Sequence, residues 1–63
     1  MQIAKRALGK VSRGQIWKHK RRGSRVYVRK SLGDNVWAIQ RISSNIVHRT
    51  TAKDLLINYE LVA

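Results

Sequence analysis

Between Arg25 and Lys30 the chain alternates strictly, with Val26 and Val28 separated by Arg25, Tyr27 and Arg29. Successive side chains of a strand project to opposite faces, so this period of two predicts a half-buried strand, apolar on one side and basic and aromatic on the other. The strand spans Ser24 to Leu32. Ahead of it, Gln15-Ile16-Trp17-Lys18-His19 follows a glycine and is rich in β-branched and aromatic residues, which predicts a first strand within 14–20. Lys20 to Ser24 is then a turn held by Gly23. Gly33-Asp34-Asn35 is a second compact turn, leading into a third strand over Val36 to Ile42. Ser43-Ser44-Asn45 interrupts the pattern, and Ile46 to Thr51 reads as a fourth strand. Thr51-Ala52-Lys53-Asp54 has the spacing of a capping box, in which the Thr51 hydroxyl accepts from the amide three residues on and Asp54 reaches back. It opens one helical turn, whose Leu55 and Leu56, with Tyr59, seal an end of the core. Glu60 to Ala63 closes the chain as a short fifth strand.

Pairing of the second and third strands decides which side chains share a face. With a three-residue loop, Leu32 faces Val36, Ser31 faces Trp37, Arg29 faces Ile39 and Tyr27 faces Arg41. Trp37, Arg29, Tyr27, Arg41 and Arg25 are then expected outside, and Val26, Val28, Leu32, Val36, Ala38 and Ile42 inside. A slip of one residue reverses the third strand and makes Trp37 core. Trp17 also has two open readings, a wall of the core or a platform for a stacked base.

Five short strands with a helical turn before the last describe an all-β fold, a small SH3-like barrel over residues 14–63. An OB-type barrel fits less well, because its helix sits between the third and fourth strands, where this chain has no room. Met1 to Arg13 is basic, and Ile3, Ala7, Leu8 and Val11 fall near helical spacing that Gly9 interrupts. It is expected to be a flexible N-terminal arm whose Lys5, Arg6, Lys10 and Arg13 follow a phosphate backbone or face solvent.

A chain of 63 residues allows one domain with a thin core. Cysteine is absent, so neither a disulfide nor thiolate-held zinc braces it, and a reducing, cytoplasmic setting is expected. No apolar run approaches the roughly 18 residues of a membrane span, and no secretory signal is evident. Charge changes the picture more. Fourteen Lys and Arg against three acidic residues give a formal charge of +11, which destabilises a compact state by self-repulsion unless an anion lies nearby.

Catalysis is a poor fit to the inventory. Asp34 belongs to a turn, Asp54 to a helix cap and Glu60 to a strand end, while His19 and His48 are too few for a metal site. No catalytic residue, metal site or cofactor is expected. The residues suited to binding are Lys18, Lys20, Arg21, Arg22, Arg25, Arg29, Arg41 and Arg49, with Tyr27 and Trp37 interleaved as aromatic surfaces. Arginine outnumbers lysine eight to six, and its planar fork suits phosphates and guanine edges.

Gly14-Gln15-Ile16-Trp17, Val26-x-Val28, Gly33-Asp34-Asn35-Val36 and the terminal Asp54-Leu55-Leu56-x-x-Tyr59-x-Leu61-Val62 resemble SH3-like barrels of the KOW and Tudor type, in particular short basic proteins encoded by bacteriophages. The resemblance covers about residues 14 to 62. It implies binding rather than catalysis, with DNA, RNA, polymerase and other proteins among the partners, and it transfers no defined ligand site. The aromatic cage of methyl-lysine readers is missing. The expected function is therefore largely sequence-independent nucleic-acid binding through a basic sheet face and hairpin tip, with DNA ahead of RNA, by a monomer or weak dimer in the nucleoid or host cytoplasm. The alternative is a small effector docking on an acidic host protein such as a polymerase or replication factor.

Overall fold

A computed structural model describes residues 9–63. Five strands, β1 (Ile16–His19), β2 (Arg25–Gly33), β3 (Val36–Arg41), β4 (Val47–Thr51) and β5 (Tyr59–Leu61), form one antiparallel sheet in the order β4-β3-β2-β1-β5. Among the described residues a single helix, α1 (Ala52–Asn58), runs directly from the end of β4 to the start of β5 and packs on both. The expected strands and the helical turn before the last one are present. The sheet is open rather than closed into a barrel: among the described residues no ladder joins β4 to β5, and α1 spans the two edges instead.

The core follows from the alternation in β2. Val26 and Val28 are buried while Arg25, Tyr27 and Arg29 are exposed. Trp17 stands opposite Val26 and is only 3% exposed, with its Nε1 donating to Gln15 Oε1 at 3.0 Å. The ring is therefore a wall of the core, and its one polar atom is satisfied. Ile39, Leu55, Ala52 and Tyr59 complete the cluster, with Trp37 and Leu56 packed against it.

Residues 1–8, which carry Lys5, Arg6 and the first apolar positions of the expected arm, lie outside the described residues. The described remainder of that segment is attached to the sheet. Val11 is part of the core cluster, and the Gln15 side chain accepts from Ser12 N–H and donates to the Lys10 carbonyl, both at 2.8 Å.

The pairing of β2 with β3 departs from the expected register in two places. Asp34 and Asn35 alone form the turn, with φ of 50° and 59°, the left-handed pair that a two-residue type I′ hairpin needs. Gly33 therefore faces Val36, Leu32 is an extra residue, and Ser31 faces Trp37 as expected. A second bulge at Arg29 then shifts the ladder, so that Val28 faces Ile39, Tyr27 faces Gln40 and Val26 faces Arg41.

The physical reason lies in β3. Without the Arg29 bulge, Arg29 would oppose Ile39 and Val28 would oppose Gln40, so the core side would receive Ala38 and the Gln40 amide in place of Ile39. With it, Val28 and Ile39 meet at 0% exposure each. Burying three more carbons of apolar side chain favours this arrangement by about 2 kcal/mol. The faces of β3 are thus reversed from expectation: Trp37 and Arg41 stand on the core side and Ala38 on the outer side. Leu32 and Ile42, expected inside, are exposed.

The helix is capped as its sequence requires, with one difference. Thr51 Oγ1 accepts from Asp54 N–H at 3.0 Å. The Asp54 carboxylate does not close the box on the Thr51 amide; it accepts from Thr50 Oγ1 and from Asn58 Nδ2, each at 2.6 Å. Its charge still sits in the first turn, where the helix dipole favours an anion.

Candidate functional site

The outer face of the sheet is built in rows. Cross-strand partners place Ile16, Tyr27, Gln40 and Val47 side by side on β1, β2, β3 and β4. The next row runs from Lys30 through Ala38 to Arg49. Because a bulge sets two residues against one, Arg29 and Lys30 both stand beside Ala38 instead of pointing to opposite faces. Together these side chains border an open groove of about 710 Å³, floored by Tyr27, Ala38 and Gln40 and rimmed by Arg29, Lys30 and, from the segment before β1, Arg13. Asn45 and Val47 close its far side.

A hydrogen-bonded chain fixes part of this rim. Arg29 Nη1 donates to Gln40 Oε1 at 2.6 Å, and Gln40 Nε2 donates to Asn45 Oδ1 at 3.0 Å. Asn45 itself holds a left-handed backbone, with φ of 58°, in the turn between β3 and β4, and its N–H bonds the Arg41 carbonyl at 2.7 Å. The guanidinium is thereby oriented across two strands with most of its five N–H donors left for an anion. Tyr27, 39% exposed, lies in the middle of the face as the one aromatic surface on the groove floor.

A second basic feature is the five-residue turn, 20–24, between β1 and β2. The His19 N–H donates to the Ser24 carbonyl at 2.8 Å, and the Gly23 N–H returns to the His19 carbonyl at 2.9 Å. Gly23 has φ of +73°, a conformation that strains any side chain, which is why glycine stands there. His19 Nδ1 accepts from the N–H groups of Arg21 and Arg22 at 3.2 and 3.1 Å. That acceptor role requires an unprotonated Nδ1. The imidazole is held below its ordinary pKa of 6.5, first by desolvation and then by Arg22 and Arg21, with Asp54 opposing. Its ring meets Tyr59 edge to face at 4.9 Å.

The expected binding residues divide into four groups. Tyr27 and Arg29 line the groove, Arg49 stands beside Ala38 on the same outer face without lining it, and Arg25 and Lys18 lie on that face one row away. In that row Lys18 stands between Arg25 and the acidic Glu60, so its charge is partly offset. Arg21 and Arg22 are exposed at the hairpin tip. Lys20, also at the tip, is committed elsewhere: its Nζ donates to the Ile57 carbonyl at 3.0 Å and its backbone N–H to the Asn58 carbonyl at 2.9 Å. Trp37 and Arg41 are half-buried on the opposite side of the sheet and do not join the outer face.

Lys30, Gln40 and Asn45 belong to the groove but are not among the residues the sequence singles out, and Arg13, expected only as a charge of the arm, joins them there. Strict alternation from Val28 puts Lys30 on the core side, so only the bulge reveals it. Arg13 reads as part of an arm, and Gln40 carries no charge to draw attention. Among the described residues no three His, Cys, Asp or Glu side chains gather to hold a metal ion, and no helix is long and apolar enough to cross a membrane. What the face offers chemically is anion binding beside a flat aromatic ring. No family model, no curated protein and no solved structure matches this chain.

Proposed function

We propose that this protein is a non-enzymatic nucleic-acid binder, acting on DNA in a largely sequence-independent way through the outer face of its sheet and the tip of the β1–β2 turn. One observation carries the reading: an exposed tyrosine on the floor of a groove rimmed by Arg13, Arg29 and Lys30, in a chain of formal charge +11. Arginine and lysine along a groove neutralise phosphates, and a ring among them meets a sugar or base. The order β4-β3-β2-β1-β5, with the helix between β4 and β5, is compatible with the SH3-like resemblance; on that resemblance, and not on the topology, we take the protein for a small phage-type binding protein working in the cytoplasm as a monomer or weak dimer.

Salt dependence tests this directly. If six phosphates are engaged on a duplex, log affinity falls against log salt with a slope of about −5. Binding that is unchanged between low and high salt refutes the proposal.

A specific feature favours a second reading, docking on an acidic host protein. The outer edge of β4 is unpaired among the described residues, with Ile46 and Val47 exposed beside it, and such an edge accepts a partner strand. A partner retained from nuclease-treated lysate supports that alternative; a partner lost with the nucleic acid supports the first.

A further inference from the structure

From the groove on the outer face we infer that the ligand form it takes is a single strand, with one unstacked base lying on Tyr27 and the flanking phosphates on Arg29 and Lys30. The inference rests on the nucleic-acid reading above and narrows it to a substrate class.

Three features of the face point this way. The first is the position of the ring. Tyr27 lies between Ile16 and Gln40 in the pleat, so its exposed surface opens onto the groove floor beside Ala38, the smallest side chain of the row. A duplex keeps its base faces stacked inside and presents phosphates and groove edges outward, so it would meet the rim cations and leave the ring without a flat partner. A single strand can turn a base out onto the ring while its backbone follows the cations, the combination by which strand-binding surfaces work.

The second is the bulge. By bringing Arg29 and Lys30 to the same side, it sets two cations in succession along one edge of the ring, where the backbone on either side of a splayed base would run. The third is the state of the amides. Gln40 Oε1 is occupied by Arg29, and Gln40 Nε2 already donates one hydrogen bond to Asn45. The groove's best base-reading group is therefore engaged in part, with one Oε1 lone pair and one Nε2–H committed, and held in place by the arginine, so the floor offers the π-face of Tyr27 ahead of a particular base edge. That predicts tolerance of sequence, as stacking allows.

The test is fluorescence anisotropy with labelled 12-nucleotide probes, dT and mixed-sequence DNA strands, an rU strand and the 12-base-pair duplex, at matched salt. Single strands are expected to bind more tightly than the duplex. Tyr27→Ala should weaken single-strand binding by roughly 5- to 150-fold, the range set by stacking on one aromatic side chain, and weaken duplex binding by a clearly smaller factor. Tyr27→Phe should restore the affinity, because the π-face is kept. The Tyr27 side chain is partly solvated, and circular dichroism of each variant checks that the fold survives. Equal or tighter binding of the duplex, or equal losses on both forms in Tyr27→Ala, overturns the single-strand site while leaving salt-dependent nucleic-acid binding intact. Failure of the wild-type chain to bind any probe overturns the parent reading as well. Binding of the rU strand with no binding of DNA strands supports the single-strand site and moves its source from DNA to RNA.

Discussion

The Nζ of Lys20, in the turn between β1 and β2, donates to the carbonyl of Ile57 at 3.0 Å, near the end of a helix that has no basic residue in its own last turn. The Lys20 backbone N–H adds a bond to Asn58. A residue that charge alone would assign to ligand binding is thus a cap supplied from another element, placed where the helix dipole is negative.

Lys20→Ala is therefore expected to cost stability more than affinity. The loss should be about 0.5–1.5 kcal/mol, a hydrogen bond to a charged donor plus a dipole term. Urea denaturation measures it. In the same variant the fall in nucleic-acid affinity should be smaller than in Arg22→Ala, whose side chain is at the tip. An affinity loss equal to that of Arg22→Ala, with stability unchanged, would show that the ammonium serves the ligand instead.

Gln40 and Arg29 make a separable pair. Arg29→Ala removes a cation from the groove, so the salt slope of single-strand binding should drop by about 0.7. Gln40→Ala keeps the cation and releases its orientation. It should weaken binding by about fivefold, the equivalent of one hydrogen bond, with the slope unchanged. A slope change in Gln40→Ala would mean that the glutamine does something other than position Arg29.

His19 couples the same turn to pH. Its folded-state pKa lies below the unfolded value of 6.5, so the unfolded chain binds the proton more readily. The stability contributed by the neutral ring is present above pH 6.5 and is lost as pH falls through the folded-state value. Denaturation midpoints at pH 7.5 and 5.5 should differ in that direction, and His19→Gln should narrow the difference. Protonation also removes the acceptor for the Arg21 and Arg22 amides, so amide exchange at those two positions should speed up over the same interval. Stability that rises on acidification would contradict this account.

Trp17 and Trp37 are expected to part company. Trp17→Ala empties the centre of the core and should cost about 3–5 kcal/mol, most or all of the stability of a domain this small. Circular dichroism should report an unfolded or barely folded chain. Trp37 is half-buried, so iodide should quench its fluorescence more than that of Trp17, and the variant Trp37→Ala should still fold. Equal protection of both rings would place Trp37 deeper than described.

Much of this architecture was legible because local signals agreed. The period of two in Arg25 to Lys30, Gly23 in a left-handed turn and Thr51 three residues before Asp54 each have a local cause, and each appears where residue type demands it. The register of β3 was not legible in the same way. Nothing local to Arg29 announces a bulge; the deciding factor is that Ile39 gains more from burial than Ala38, which is a comparison across two strands. The first register therefore puts Trp37 and Arg41 on the outer side, whereas the structure follows its alternative, the slip of one residue that turns the third strand over. The hydrogen bond made by Lys20 was not legible for a related reason, since its acceptor lies 37 residues away.

The extra residue at Arg29 changes the parity of the pleat halfway along β2. Every side chain from Val28 back to Arg25 keeps its relation to β3 only because one residue has been left uncounted by the ladder. Shortening the chain there by a single codon would pair Val28 with Ile39 and Lys30 with Ala38 in an unbroken ladder, so Ile39 would stay buried and the outer face would lose one of its two adjacent cations. The uncounted residue thus serves the exposed rim and not the buried side: its removal should cost ligand affinity while the apolar contacts of Val28 and Ile39 persist.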